Sequence, residues 1–206
     1  MSLLEGVISL TRYRVTSSPA ELSEEFIAER IKRNAFVDID NTADEESIGW
    51  VEVLDPFAAS FEPYSFKFGE IIALGMRVDK RTVAPKVVNR YLALAEAELQ
   101  KTSENRLRSE ERRELKARIR LDLMRRVPVN TKTIEVCWFL DRGEVWLTSS
   151  GGKDREYFEE LWRMTFDMGL MMKVPFVLAG QLLPAGASND LLEKVKPAAL
   201  FGGREG

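Results

Sequence analysis

The sequence predicts an α+β fold: a mixed or antiparallel sheet with packed helices, from which a helical hairpin projects as an arm. Three observations carry that expectation. Apolar runs of strand length occur before residue 80 and again after residue 130. Between them, from Ala84 to Arg126, the apolar residues recur at helical spacing instead. Charge is also segregated: Arg77–Lys132 holds 16 Lys/Arg against 8 Asp/Glu, a local +8 in a chain of net −3, which leaves −11 for the rest. An apolar content of 45%, with 11 Phe and 4 Trp, supplies a core and excludes a disordered chain.

Each element follows from local chemistry. Glu5–Val15 alternates loosely through Val7, Ile8, Leu10, Tyr13 and Val15 and reads as a strand. Ser17-Ser18-Pro19 opens a helix, with Ser18 as cap and Pro19 in the first turn, where its missing N–H costs nothing. Leu22, Phe26, Ile27 and Ile31 form its apolar stripe, which ends near Asn34. An acidic loop, Asp38–Ser47, leads to a strand over Ile48–Leu54 containing Trp50. Pro56 and Pro63 bracket a loop, and Phe66–Val78 reads as a third strand or a hairpin. Ala84-Pro85 starts a helix with the stripe Val88, Tyr91/Leu92, Ala95 and Leu99, fading at Lys101–Asn105. A second helix runs from about Ser109 to Arg126 through Leu115, Ile119 and Leu123, and Pro128 ends it. Thr133–Leu140 and Glu144–Thr148 flank Asp141-Arg142-Gly143, a β-hairpin signal. Gly152–Gly169 is an amphipathic helix through Tyr157, Phe158, Leu161, Trp162, Thr165 and Met168; Val174–Leu178 is expected to be a last strand.

These elements divide the chain into a discontinuous core, 1–80 with 131–180, an arm, 81–130, and a Pro/Gly/Ala-rich tail, 181–206, with one short amphipathic piece at Asp190–Lys196. Cys137 is the lone cysteine, so no internal disulfide and no cysteine zinc site can form, which suits a reducing cytoplasm. Histidine is absent, which removes Ser-His and Cys-His nucleophilic catalysis and histidine metal ligation. The start MSLLEGVISLTRYRV has no basic segment followed by a long apolar run, and no stretch reaches the length of a membrane span. A cytoplasmic protein with no membrane partner is expected.

The sharpest feature lies on the second helix of the arm. Arg108, Arg112, Lys116 and Arg120 are spaced four apart, a row of roughly 18 Å at about 1.5 Å per residue. Within the helix only Arg108 has an acidic partner on this row, Glu104. Like charges so spaced repel by a few tenths of a kcal/mol per pair, roughly, which a bound anion would relieve. DNA carries about one charge per 1.7 Å of duplex axis. Lys101, Arg106 and Arg113 widen the footprint. No aromatic is interleaved with them, so backbone contact without base reading is the expected mode. The bland alternative is a solvated, highly charged helix face.

Other chemistry finds little footing. Asp38, Asp40, Asp44, Glu45 and Glu46 cluster in one loop, but no D…E-x-K nuclease pattern accompanies them. Gly151-Gly152-Lys153 fails the P-loop pattern and reads as a strand-to-helix turn. Met164, Met168, Met171 and Met172 read as gap filling in a core or interface. Trp50, Trp138, Trp146 and Trp162 read as core anchors. No catalytic residue, cofactor or metal is expected.

Several of these segments resemble the recombination-associated RdgC family. Ile48-Gly49-Trp50-Val51 is similar to the family's Gly-Trp-Val strand, and Val83-Ala84-Pro85-Lys86-Val87-Val88 to the Pro-x-Val/Ile element that opens its long helix. From Val87 to Met124 the likeness runs without a gap, through Leu92, Leu99, Leu107, Glu111, Leu115-Lys116 and Leu123. Trp138-Phe139-Leu140-Asp141 before Gly143 resembles a Trp-Ile-Asp turn, and Leu170–Phe176 a run ending in Val-Pro.

The resemblance implies a nucleoid-associated protein that binds double-stranded DNA with little sequence preference, with single-stranded DNA as a second ligand. It also implies a homodimer, ring-shaped around the duplex, and restraint of RecA-mediated recombination. Family members continue beyond this point into a further C-terminal domain, and the aromatic at their hairpin tip is replaced here near Val127-Pro128-Val129, so an open clamp stands beside the ring. Val127, Pro128 and Val129, taken as the hairpin tip, and the patch Met168, Leu170, Met171 and Met172 are the candidate dimer contacts. Two alternatives from other classes remain: an arm that binds an acidic protein, and a metal-dependent nuclease.

Overall fold

The computed structural model describes residues 9–16, 23–40, 42–61, 65–102, 107–182 and 194. Seven antiparallel strands form one sheet: β1 (Thr11–Val15), β2 (Glu46–Glu52), β3 (Lys67–Phe68), β4 (Ile71–Lys80), β5 (Asn130–Phe139), β6 (Glu144–Leu147) and β7 (Leu170–Met172). Their order is β2-β4-β5-β6-β1-β7, with β3 also on β4. The helices are α1 (Glu24–Arg33), α2 (Pro85–Thr102), α3 (Ser109–Met124), α4 (Gly152–Phe166) and α5 (Pro175–Leu182). The α+β expectation holds.

Period-two patterning sets the two sheet faces. On β5, Ile134, Val136 and Trp138 are buried while Thr133, Glu135 and Cys137 between them are only half-buried. The inner face meets α1 through Ile27 and Ile31 and α4 through Phe158, Leu161, Trp162 and Phe166. Trp162 sits at the centre, with ring centroids 4.6 Å from Phe166 and 5.0 Å from Trp138. The Trp50 indole N–H donates to Thr165 Oγ1 at 2.8 Å, and that hydroxyl donates to the Leu161 carbonyl at 2.7 Å, so both buried polar groups are satisfied. Along the free edge of β2 the segment after α1 forms a parallel bridge, Ala35 beside Trp50, with the Phe36 N–H donating to the Trp50 carbonyl at 2.9 Å and the Trp50 N–H to the Asn34 carbonyl at 3.0 Å. A Cβ on Gly49 would lie 2.5 Å from the Phe36 Cα, so only glycine fits there.

Several sequence expectations need correction. Ser18, Pro19 and Leu22, like Val7 and Ile8, lie outside the described residues, but the cap of α1 is Ser23, whose hydroxyl accepts from the Phe26 N–H at 3.1 Å. Val174–Leu178 is not a strand. Pro175 has no N–H for a ladder and suits the first turn of α5, while the preceding Leu170–Met172 pairs with β1. Phe66–Val78 resolves as a hairpin, turning at Gly69 with φ +63°. Trp146 is not a core anchor: it points to the outer face, half-buried against Phe139 at 4.8 Å with the Arg12 guanidinium over its ring.

Arg12 also helps to hold Glu144, together with Lys173 and the Trp146 N–H. The hydrogen bond from Lys173, then those from Trp146 and Arg12, pull the Glu144 carboxyl from 4.5 down to about 2. A depressed folded-state value stabilises above the unfolded value and is lost as pH falls through the folded one. Between pH 4.5 and about 2 the wild type should therefore lose more thermal stability than Glu144→Gln. Parallel melting-temperature curves for the two proteins over that range would contradict this.

Candidate nucleic-acid interface

The arm grows out of the middle of the sheet. β4 and β5 are neighbours paired along their whole length, from Ile71↔Phe139 to Lys80↔Asn130, and the intervening chain leaves as α2 and returns as α3. At its root Val88, Leu92, Leu123 and Met124 are buried. Farther out, where α2 and α3 pack against each other, Leu115 and Ile119 are half-buried and Leu99 is exposed.

Arg112 Nε meets Glu96 Oε1 at 2.5 Å across the two helices, and because α2 leaves β4 and α3 returns to its neighbour β5 the helices run antiparallel. The far end of the arm is therefore where α2 ends and α3 begins. Val127–Val129 is not the tip: it is the root, immediately before β5, and its residues return the chain to the sheet. The other proposed contact patch also changes. Met168 is buried in the core, and Leu170 and Met172 lie against it on the same side of β7 as Tyr13. Of that patch only Met171 alternates to the outer face.

All the basic residues singled out on α3 are exposed. They do not share one straight face, since each step of four advances about 40° beyond a full turn. Arg112 turns toward α2, whereas Arg120 reaches the core loop, its Nη2 2.6 Å from Glu45 Oε1. Arg108 precedes the first turn, and its backbone N–H donates to the Glu111 carboxylate at 2.7 Å. Lys101, at the end of α2, pairs with Glu98 at 3.1 Å. Arg113 and Lys116 have no acidic partner among the described residues; Arg106 and Glu104 lie outside them. Lys86, Arg90, Arg118, Arg125 and Arg126 add exposed cations on the same arm.

Sequence reasoning missed the counter-ions Glu45 and Glu96, because neither is a helical neighbour of its arginine. It also missed Arg81, buried where the sheet ends and the arm begins. Arg81 Nη1 and Nη2 donate to the Thr42 and Asp40 carbonyls at 2.8 Å, and its backbone N–H donates to the Glu45 carbonyl, clamping the acidic loop beside the arm. That loop does not gather its carboxylates. Asp40 faces Arg81, Glu45 faces Arg120 and Glu46 faces Lys80. Among the described residues no group of three or more acidic or cysteine side chains is placed to hold a metal ion. Gly151 stands as N-cap of α4, a strand-to-helix turn as expected. No helix among the described residues is long and apolar enough to cross a membrane.

A family model described as "Putative exonuclease, RdgC" matches residues 8–178. The chain belongs to the RdgC family. The match spans the sheet, both arm helices and the strand β7. No curated protein matches the chain.

Proposed function

We propose that this RdgC-family chain is a non-catalytic DNA-binding protein that grips the phosphate backbone of duplex DNA with α3 and acts in recombination. The observation that carries the reading is an exposed basic helix on a projecting arm, with Arg113 and Lys116 unpaired among the described residues. Arg112 and Arg120 join after exchanging Glu96 and Glu45 for phosphate. Exposed ion pairs are worth at most about 1 kcal/mol, so that exchange costs little. Family membership supports the recombination role, nucleoid association and restraint of RecA, with single strands as a second ligand. It also supports a homodimer around or beside the duplex. Dispersed carboxylates favour binding over the exonuclease activity that the family description names.

Fluorescence anisotropy on two unrelated duplexes at several salt concentrations tests this. Arg112→Ala, Lys116→Ala and Arg120→Ala should each weaken binding equally on both sequences and flatten the slope of log K against log salt by roughly 0.9. Lys116→Ala should cost most, since lysine 116 releases no internal partner on binding. No binding of the wild type at low salt would overturn the DNA reading in favour of an acidic protein partner. Mg²⁺- or Mn²⁺-dependent degradation of the labelled duplex would overturn the non-catalytic part.

A further inference from the structure

Val37, Leu54 and Phe57, from the two segments that flank β2, are 70%, 75% and 74% exposed. Both segments meet at the buried Arg77. Its guanidinium lies 5.0 Å from the Phe57 ring and 4.2 Å from the ring of Phe36, the residue before Val37. The Ser47 hydroxyl donates to the Val37 carbonyl at 2.6 Å. The Phe57 N–H donates to Asp55 Oδ1 at 3.0 Å, and the Ala58 N–H to the Asp55 carbonyl at 3.0 Å, which fixes the turn carrying Leu54 and Phe57. Large apolar side chains on a fixed backbone, left uncovered, mark an interaction face, since little order remains to be lost on binding.

We propose that this face docks a lysine- or arginine-rich segment of another protein, one that carries large apolar residues between its cations. Charge selects that partner. Residues 37–60 hold seven Asp/Glu and no Lys/Arg. Asp40, Glu45 and Glu46 are taken by Arg81, Arg120 and Lys80. Asp38, Asp44 and Asp55 are exposed and form no ion pair among the described residues. Asp38 directly follows Val37, and its charge reaches the Arg77 guanidinium; Asp55 directly follows Leu54. Apolar contact points and uncommitted carboxylates therefore alternate. A partner with no cations would leave those carboxylates desolvated and unpaired, and an acidic one would be repelled. The same negative charge turns DNA away from this face, so a protein seated here would not compete with the arm for phosphate.

The test contains no DNA, so it stands or falls apart from the phosphate contacts. The probe is a fluorescein-labelled peptide, Lys-Leu-Lys-Phe-Lys-Leu-Lys, with Lys-Ser-Lys-Ser-Lys-Ser-Lys as its apolar-free control, each titrated with the whole chain. The first should bind and the second should not. Leu54→Ser should weaken binding about tenfold, the loss expected when one leucine no longer buries its surface. Asp38→Asn and Asp55→Asn should weaken it roughly threefold each, by less as salt is raised; asparagine at 55 keeps the oxygen that accepts from the Phe57 N–H. Phe57→Ser should lower affinity further, and if losing the ring over Arg77 unfolds the chain, Leu54→Ser decides alone. Equal binding of both peptides would reduce the face to diffuse negative charge and overturn the proposal. So would no binding of the first peptide, or an affinity that Leu54→Ser and Asp55→Asn leave unchanged. A wild-type dimer in sedimentation that Leu54→Ser dissociates would make a second copy the occupant, and would also overturn it.

Discussion

Replacing Arg112, Lys116 and Arg120 together by alanine is expected to lower affinity for random-sequence duplex by roughly 500-fold at 0.1 M salt. Each phosphate contact contributes about 0.9 to the slope of log K against log salt, which amounts to roughly eightfold at 0.1 M relative to 1 M. Three contacts multiply to that loss and flatten the slope by about 2.7. The fold should be unaffected, because exposed substitutions of this kind change stability by no more than about 0.5 kcal/mol each. Affinity within twofold of the wild type and an unchanged slope, measured on a protein with a normal melting temperature, would make the row a solvated helix face.

The largest effect on stability is expected at Asp79→Ala. Arg77 and Asp79 project from the outer face of β4 and are almost wholly buried. The guanidinium bonds the carboxylate through both forks, Nε–Oδ1 at 2.9 Å and Nη2–Oδ2 at 2.6 Å. It also lies over the Phe36 and Phe57 rings at 4.2 and 5.0 Å. The hydrogen bonds that Arg77 donates to Asp79 hold its guanidinium above its ordinary value, and an arginine remains charged even without that partner. An unpaired buried charge then costs about 3–5 kcal/mol, roughly 6–20 °C of melting temperature for a chain of this size. Replacing both residues by apolar ones, Arg77→Met with Asp79→Leu, should cost far less, since no charge is stranded. Equal melting temperatures for the single and double variants would show that the pair's burial is not what the stability depends on.

What sequence reasoning reached and what it missed divide along the range of the interactions involved. Period two in β5 and β6, the turn at Gly143 and the helical stripes of α2, α3 and α4 are encoded within a few residues of one another, and they were legible. Errors arose where a local signal had a competitor. Ser18-Pro19 reads locally as a helix start, but the observed cap of α1 is Ser23, whose hydroxyl accepts from the Phe26 N–H. Val174–Leu178 is apolar enough for a strand, but the proline at 175 makes it a helix. Trp146 sits in an apolar run, yet strand alternation turns it outward.

The sequence by itself determined the α+β class, the existence of a basic two-helix arm between two halves of a sheet, and the identity of the arm's cations. Those depend on composition and on spacing along one chain. Only the tertiary structure decided that Val127–Val129 is the root of the arm, that Met168 belongs to the core, and that Arg112 and Arg120 are held by Glu96 and Glu45 while Lys116 has no acidic partner among the described residues. Burial and ion pairing are properties of side chains brought together from distant parts of the chain, and no spacing rule along the helix predicts which acid arrives beside which arginine.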